Sequence, residues 1–77
     1  MTRADRHAAI RHHLSEHTGP GLTAYEIARA LGLAPLSGQV QIRADLRAMA
    51  TAGDVVCSET PRGDGDPRPV FRWTAAR

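Results

Sequence analysis

Not one lysine occurs in this chain; all ten of its basic side chains are arginine. The planar guanidinium donates two parallel hydrogen bonds and so suits phosphate and guanine. A chain rich in Ala, Arg and Gly is also what a GC-rich genome produces, so the placement of the arginines has to decide between the two readings. Cys57 is the single cysteine. It excludes an intramolecular disulfide and a zinc site built on several thiolates, and a reducing compartment fits it. Long apolar runs are lacking too: none follows Arg3, Arg6 and Arg11, so neither a signal peptide nor a membrane span is read, and the expected location is the cytoplasm. Aromatic residues are limited to Tyr25, Phe71 and Trp73. With 77 residues, the chain is expected to form one domain around a small aliphatic core of modest stability. Its net charge is only +2.

What is present is a sequence of clear starts and stops. From Thr2 to about His17, Ile10 and Leu14 are four apart, with His7 and His17 extending the same stripe, which predicts a first helix. Thr18-Gly19-Pro20-Gly21 breaks it, because proline lacks an amide donor and glycine favours a turn. Leu22-Thr23-Ala24-Tyr25-Glu26-Ile27 then carries a full helix-start signature: Thr23 as cap, Glu26 three residues on, and Leu22 placed to staple to Ile27. The second helix, about 24–31, stops at Gly32, with Leu33 packing back over its last turn. A third helix is expected to begin near Ser37 and run over about 38–52, since Ile42, Leu46 and Met49 recur at i, i+4, i+7 before Gly53.

Beyond Gly53 the pattern becomes extended. The segments 55–59 and 70–74 are rich in β-branched and aromatic residues and read as two strands of a hairpin. The prolines and glycines of Thr60 to Pro69 predict a mobile loop between them.

The segments Leu22-Thr23-Ala24-Tyr25-Glu26-Ile27-Ala28-Arg29-Ala30-Leu31-Gly32-Leu33 and Leu46-Arg47-Ala48-Met49-Ala50-Thr51-Ala52-Gly53-Asp54-Val55-Val56 resemble the winged helix-turn-helix domains of bacterial transcription regulators. The resemblance covers nearly the whole chain. It implies an α+β fold of three helices followed by a β-hairpin wing, with Leu22 adding a minimal third strand, in the order α-β-α-α-β-β. It also implies double-stranded DNA as the partner and the third helix as the recognition helix. Ala34-Pro35-Leu36-Ser37-Gly38 departs from the pattern as a turn several residues longer than the family's.

With about 100° per residue and Ile42 at the centre of the buried face, Val40, Arg43, Ala44 and Arg47 project outward, flanked by Gln41 and Ala48. Val40 either meets a thymine methyl in the major groove or packs beneath the long turn. Arg43 and Arg47 are candidates for guanine or phosphate, Gln39 and Gln41 for adenine, and small Ala44 would permit close approach; a solvated arginine face is the plain alternative. Arg62 and Arg68 flank the loop tip and either follow a phosphate backbone or belong to a merely solvated loop, since Asp64 and Asp66 offset their charge. Thr23 and Tyr25 are further phosphate candidates, although capping already accounts for Thr23.

His13 and His17 are spaced to share a metal, with His7 on nearly the same stripe, but no further ligands are evident and no metal site is expected. Nor is a catalytic constellation visible, and Cys57, alternating with Val55, reads as a small buried hydrophobe. The expected function is sequence-specific duplex binding by a small transcription regulator, with a homodimer on a two-fold site as one way to gain affinity and no small-molecule ligand. A winged-helix module that binds protein and has no DNA affinity is the alternative, motivated by the low net charge and the acidic loop.

Overall fold

A computed structural model of the chain describes residues 2–17 and 19–76, the side chain of Pro35 excepted. Thr18, the first residue of the expected break, lies outside them. The elements are α1 (Arg3–Glu16), α2 (Ala24–Ala30), α3 (Pro35–Thr51), β1 (Val55–Thr60) and β2 (Val70–Ala75). The fold is thus α+β, three helices and a two-stranded antiparallel sheet.

Both early helices start on reciprocal capping boxes. The Thr2 hydroxyl accepts from the Asp5 amide at 3.1 Å while the Asp5 carboxylate accepts from the Thr2 amide at 3.0 Å. Thr23 and Glu26 repeat the arrangement at 3.2 and 2.9 Å. Each box satisfies amides that the first turn leaves without intrahelical partners. The ends of α2 and α3 are also alike. The amides of Leu33 and Asp54 reach back to the carbonyls of Ala28 and Met49 at 2.9 Å each, over Gly32 and Gly53 at φ +74° and +85°, which is the backbone pattern that suits glycine just past a helix end.

The start of α3 differs from expectation. It begins at Pro35 rather than near Gly38, and its N-cap, Ala34, makes no side-chain hydrogen bond. Proline at the first helical position carries no amide that would go unsatisfied, so the helix starts without a capping side chain. The apparently lengthened turn is therefore mostly the first turn of α3. Gly38, buried in that turn, sits where an added Cβ would lie 2.6 Å from the Leu33 Cβ, so the α2–α3 connection passes directly over it.

Ile10 and Leu14 from α1, Ala24, Ile27 and Ala28 from α2, Ile42, Leu46 and Met49 from α3, Val55 from β1 and Trp73 from β2 form one buried cluster. Leu22 pairs with Trp73 through two backbone hydrogen bonds of 3.0 and 2.8 Å, the single-residue strand expected there. In β1 and β2, Val55 stands opposite Ala75, Cys57 opposite Trp73 and Glu59 opposite Phe71. Alternation puts these six on one face, toward the helices, and Val56, Ser58 and Arg72 on the other. No described helix is long and apolar enough to cross a membrane.

Candidate functional site

The outward face of α3, the start of α2 and the inner face of the hairpin enclose an open concavity of about 860 Å³. Gln39, Arg43 and Arg47, at i, i+4, i+8, supply its α3 wall, and Thr23, Ala24 and Tyr25 the α2 wall. From the hairpin come Cys57, Val70, Phe71 and Trp73, with Arg62, Arg68 and Pro69 at the loop end. The site thus brings together five of the eight residues expected from sequence, Gln39, Arg43, Arg47, Arg62 and Arg68. Val40, Gln41 and Ala44 are exposed on α3 but do not line the concavity. At 64% exposure Val40 is not packed beneath the preceding turn, which removes that alternative.

The arginines divide by their partners. Arg6 pairs with Asp45, Arg11 with Asp54, Arg72 with Glu26, and Arg62 and Arg68 both with Asp66. Arg29 lies 5.9 Å from the Tyr25 ring centroid. Among the described residues, Arg3, Arg29, Arg43 and Arg47 are engaged by no carboxylate, and of these Arg43 and Arg47 line the concavity. Two exposed guanidinium groups one turn apart are therefore available to an external anion, and their wall of the cavity is basic.

The loop behaves otherwise. Asp66 accepts from Arg68 Nε at 3.1 Å and Nη2 at 2.9 Å, and from the Arg68 amide at 2.9 Å, with Arg62 Nε 3.6 Å away. The bonds from Arg68 and the Arg62 charge hold the Asp66 carboxyl below its ordinary pKa. Asp66 thus accounts for both loop arginines, whereas Asp64 is exposed and makes no ion pair among the described residues.

Two of these ion pairs link the elements that carry the walls. Arg72 donates to the Gly21 carbonyl at 3.2 Å and to Glu26 at 3.5 Å, tying β2 to the start of α2. Asp45, only 4% exposed, faces α1 from the inner side of α3. It accepts from Arg6 Nε at 2.7 Å and lies 3.3 Å from His7 Nε2. Burial alone would raise the Asp45 pKa, but the Arg6 hydrogen bond and charge, followed by those of His7, outweigh it and leave the carboxyl below its ordinary value. The sequence reading missed this pair. A carboxylate three residues after Ile42 and next to Leu46 was the available signal.

Two sequence expectations are corrected. Cys57 is exposed, not buried: it shares a face with Val55 and stands opposite buried Trp73, but its thiol opens on the concavity. What burial it has, with the Glu59 charge, pushes its pKa up. The helix 1 stripe also ends earlier than expected. His17 is exposed and serves as C-cap, while His7 sits at the rim of the core against Asp45. Among the described residues no group of three or more His, Cys, Asp or Glu side chains is placed to hold a metal.

Compared with models of protein families, with curated proteins and with solved structures, the chain has no match.

Proposed function

We propose that this chain is a winged helix-turn-helix domain that binds double-stranded DNA, with α3 entering the major groove and the 61–69 loop lying alongside as the wing. The observation that carries the reading is the pair Arg43 and Arg47. They are exposed, one turn apart and without acidic partners on the outward face of a 17-residue helix, the arrangement that bidentate guanine contacts and phosphate contacts require. The order of elements, with Leu22 bridged to the hairpin, supports the same reading. Function follows from the site and not from the layout, so the weight rests on the arginines. A small transcription regulator is the role that such binding serves, and a homodimer on a two-fold site would extend its reach.

A protein-binding role without DNA affinity is the second reading, favoured by one observation: Asp66 occupies both Arg62 and Arg68. Titration of mixed-sequence duplexes at roughly 50 and 200 mM salt separates the two, because phosphate contacts release counterions and make affinity fall with salt. Salt-sensitive binding that Arg43→Ala and Arg47→Ala weaken is the expected result. Absence of any such binding would favour the protein partner.

A further inference from the structure

Leu36 and Val40 are the most exposed of the large apolar side chains described, at 80% and 64%. They came together only because α3 begins at Pro35, which puts Leu36 on the helix and not in a turn. At about 100° per residue, Leu36, Val40, Arg43, Ala44 and Arg47 fall within a sector of roughly 100°, facing away from Ile42 and Met49. The outward face is thus divided along its length into an apolar first half and a basic second half. Neither Leu36 nor Val40 lines the concavity or joins the core, so their exposure has no structural use within the chain.

We propose that Leu36 and Val40 read the C5-methyl groups of pyrimidines in the major groove, beside the guanine or phosphate contacts of Arg43 and Arg47; this rests on the duplex DNA reading above. The C5-methyl of thymine is the apolar group that a major groove presents, and 5-methylcytosine carries the same group at the same ring position. Leu36 and Val40 are separated by about 6 Å along the helix axis, close to two base-pair steps of about 3.4 Å. The charge of the same face argues for this occupant. Arg43 and Arg47 favour a polyanion, whereas a second copy docked face to face would bring four like charges together.

The test starts from a duplex recovered by selection from a random pool. Each thymine is replaced in turn by deoxyuridine, which removes the methyl and leaves pairing intact. At one or two positions affinity is expected to fall about fourfold, the equivalent of one buried methylene. Leu36→Ser or Val40→Ser, both at exposed positions, should abolish the sensitivity at one of them, while Arg43→Ala preserves it. If no thymine is sensitive but 5-methylcytosine in place of a cytosine tightens binding, methylated cytosine is the source of the methyl.

A bound duplex insensitive to both replacements would overturn the methyl readout and leave DNA binding standing. Failure to bind any duplex would overturn both. Wild-type sedimentation as a dimer that Leu36→Ser converts to monomer, without methyl sensitivity, would make the face an interface between copies and end the proposal.

Discussion

The Asp45 carboxylate and the Arg6 guanidinium, 39 residues apart in the chain, meet at 2.7 Å across the α1–α3 interface. Asp45 lies on the inner side of α3, about 140° from Val40 around the axis. The pair adds a polar link to the burial of Ile42, Leu46 and Met49, which already turns this side of α3 inward. Removing Arg6 leaves buried Asp45 with His7, 3.3 Å away, as its remaining side-chain partner, so Arg6→Met is expected to destabilise the fold. Asp45→Asn should cost less, because Arg6, at the rim, can turn its head to water. Urea unfolding of the two single variants and the double variant gives the coupling. Additive losses would show that the contact does not hold the two helices together.

Acid should unfold the protein in a predictable direction. Asp5, Glu26, Asp45 and Asp66 are all held below their ordinary pKa values in the folded chain. Each is therefore more acidic folded than unfolded, and protonation favours the unfolded state. Their stabilisation is fully present above the unfolded carboxylate range of about 4 and is lost as the pH falls through the folded values. The midpoint of thermal unfolding should drop between pH of about 5 and 3, and less steeply in Asp45→Asn. An identical pH dependence in that variant would count against Asp45 as a contributor.

Thr23→Ala removes the hydroxyl that accepts from the Glu26 amide and should cost about 1 kcal/mol. Thr23→Ser, which keeps the acceptor, should lose little. Thermal melts of the pair distinguish a lost cap from lost packing, since both variants remove the threonine methyl from its place.

At Gly38 two effects oppose. Alanine is the better helix former by about 1 kcal/mol, but its Cβ would lie 2.6 Å from the Leu33 Cβ. The steric conflict is expected to win, with a net loss of about 1–3 kcal/mol. Trimming Leu33→Ala should not rescue Gly38→Ala, because alanine retains the offending Cβ. Rescue in a chemical-denaturation experiment would mean that the outer part of the leucine is what collides.

On the DNA reading, Arg43→Ala and Arg47→Ala should each cost about 1–3 kcal/mol of binding and relax sequence preference where they contact guanine. Asp66→Asn should act in the opposite direction. It releases Arg62 and Arg68, tightening binding to all sequences and steepening the salt dependence by roughly one or two phosphate contacts. Unchanged affinity in Asp66→Asn, measured by anisotropy, would mean that the loop does not touch the duplex.

Much of this arrangement was legible in the sequence wherever the cause was local. The Thr23–Glu26 box, the stops at Gly32 and Gly53, and the β-branched and aromatic enrichment of 55–59 and 70–74 each depend on residues a few positions apart, and the observed elements follow them closely. The start of α3 was misread because Ser37 offers a cap, while the operative signal was a proline at the first helical position after an alanine that caps nothing. Asp45 escaped notice because its partners lie on another helix. Cys57 was placed on the correct face of its strand but at the wrong depth, since alternation gives a direction and not a depth of burial. In the site, periodicity found Arg43 and Arg47, but only the folded arrangement showed that Asp66 holds the loop arginines.

The Leu22–Trp73 bridge joins the hairpin to the helices at its root: Trp73 is buried in the core while its backbone is bonded to the segment that precedes α2. Everything past the Thr60–Val70 pair is free of that attachment. The segment 61–69 is therefore a natural place for length variation, where residues can be inserted or removed without transmitting strain to the helices. Because closing a flexible loop costs only about 0.6 kcal/mol more for each doubling of its length, a grafted peptide or epitope inserted between Gly63 and Gly65 would leave the three-helix body folded.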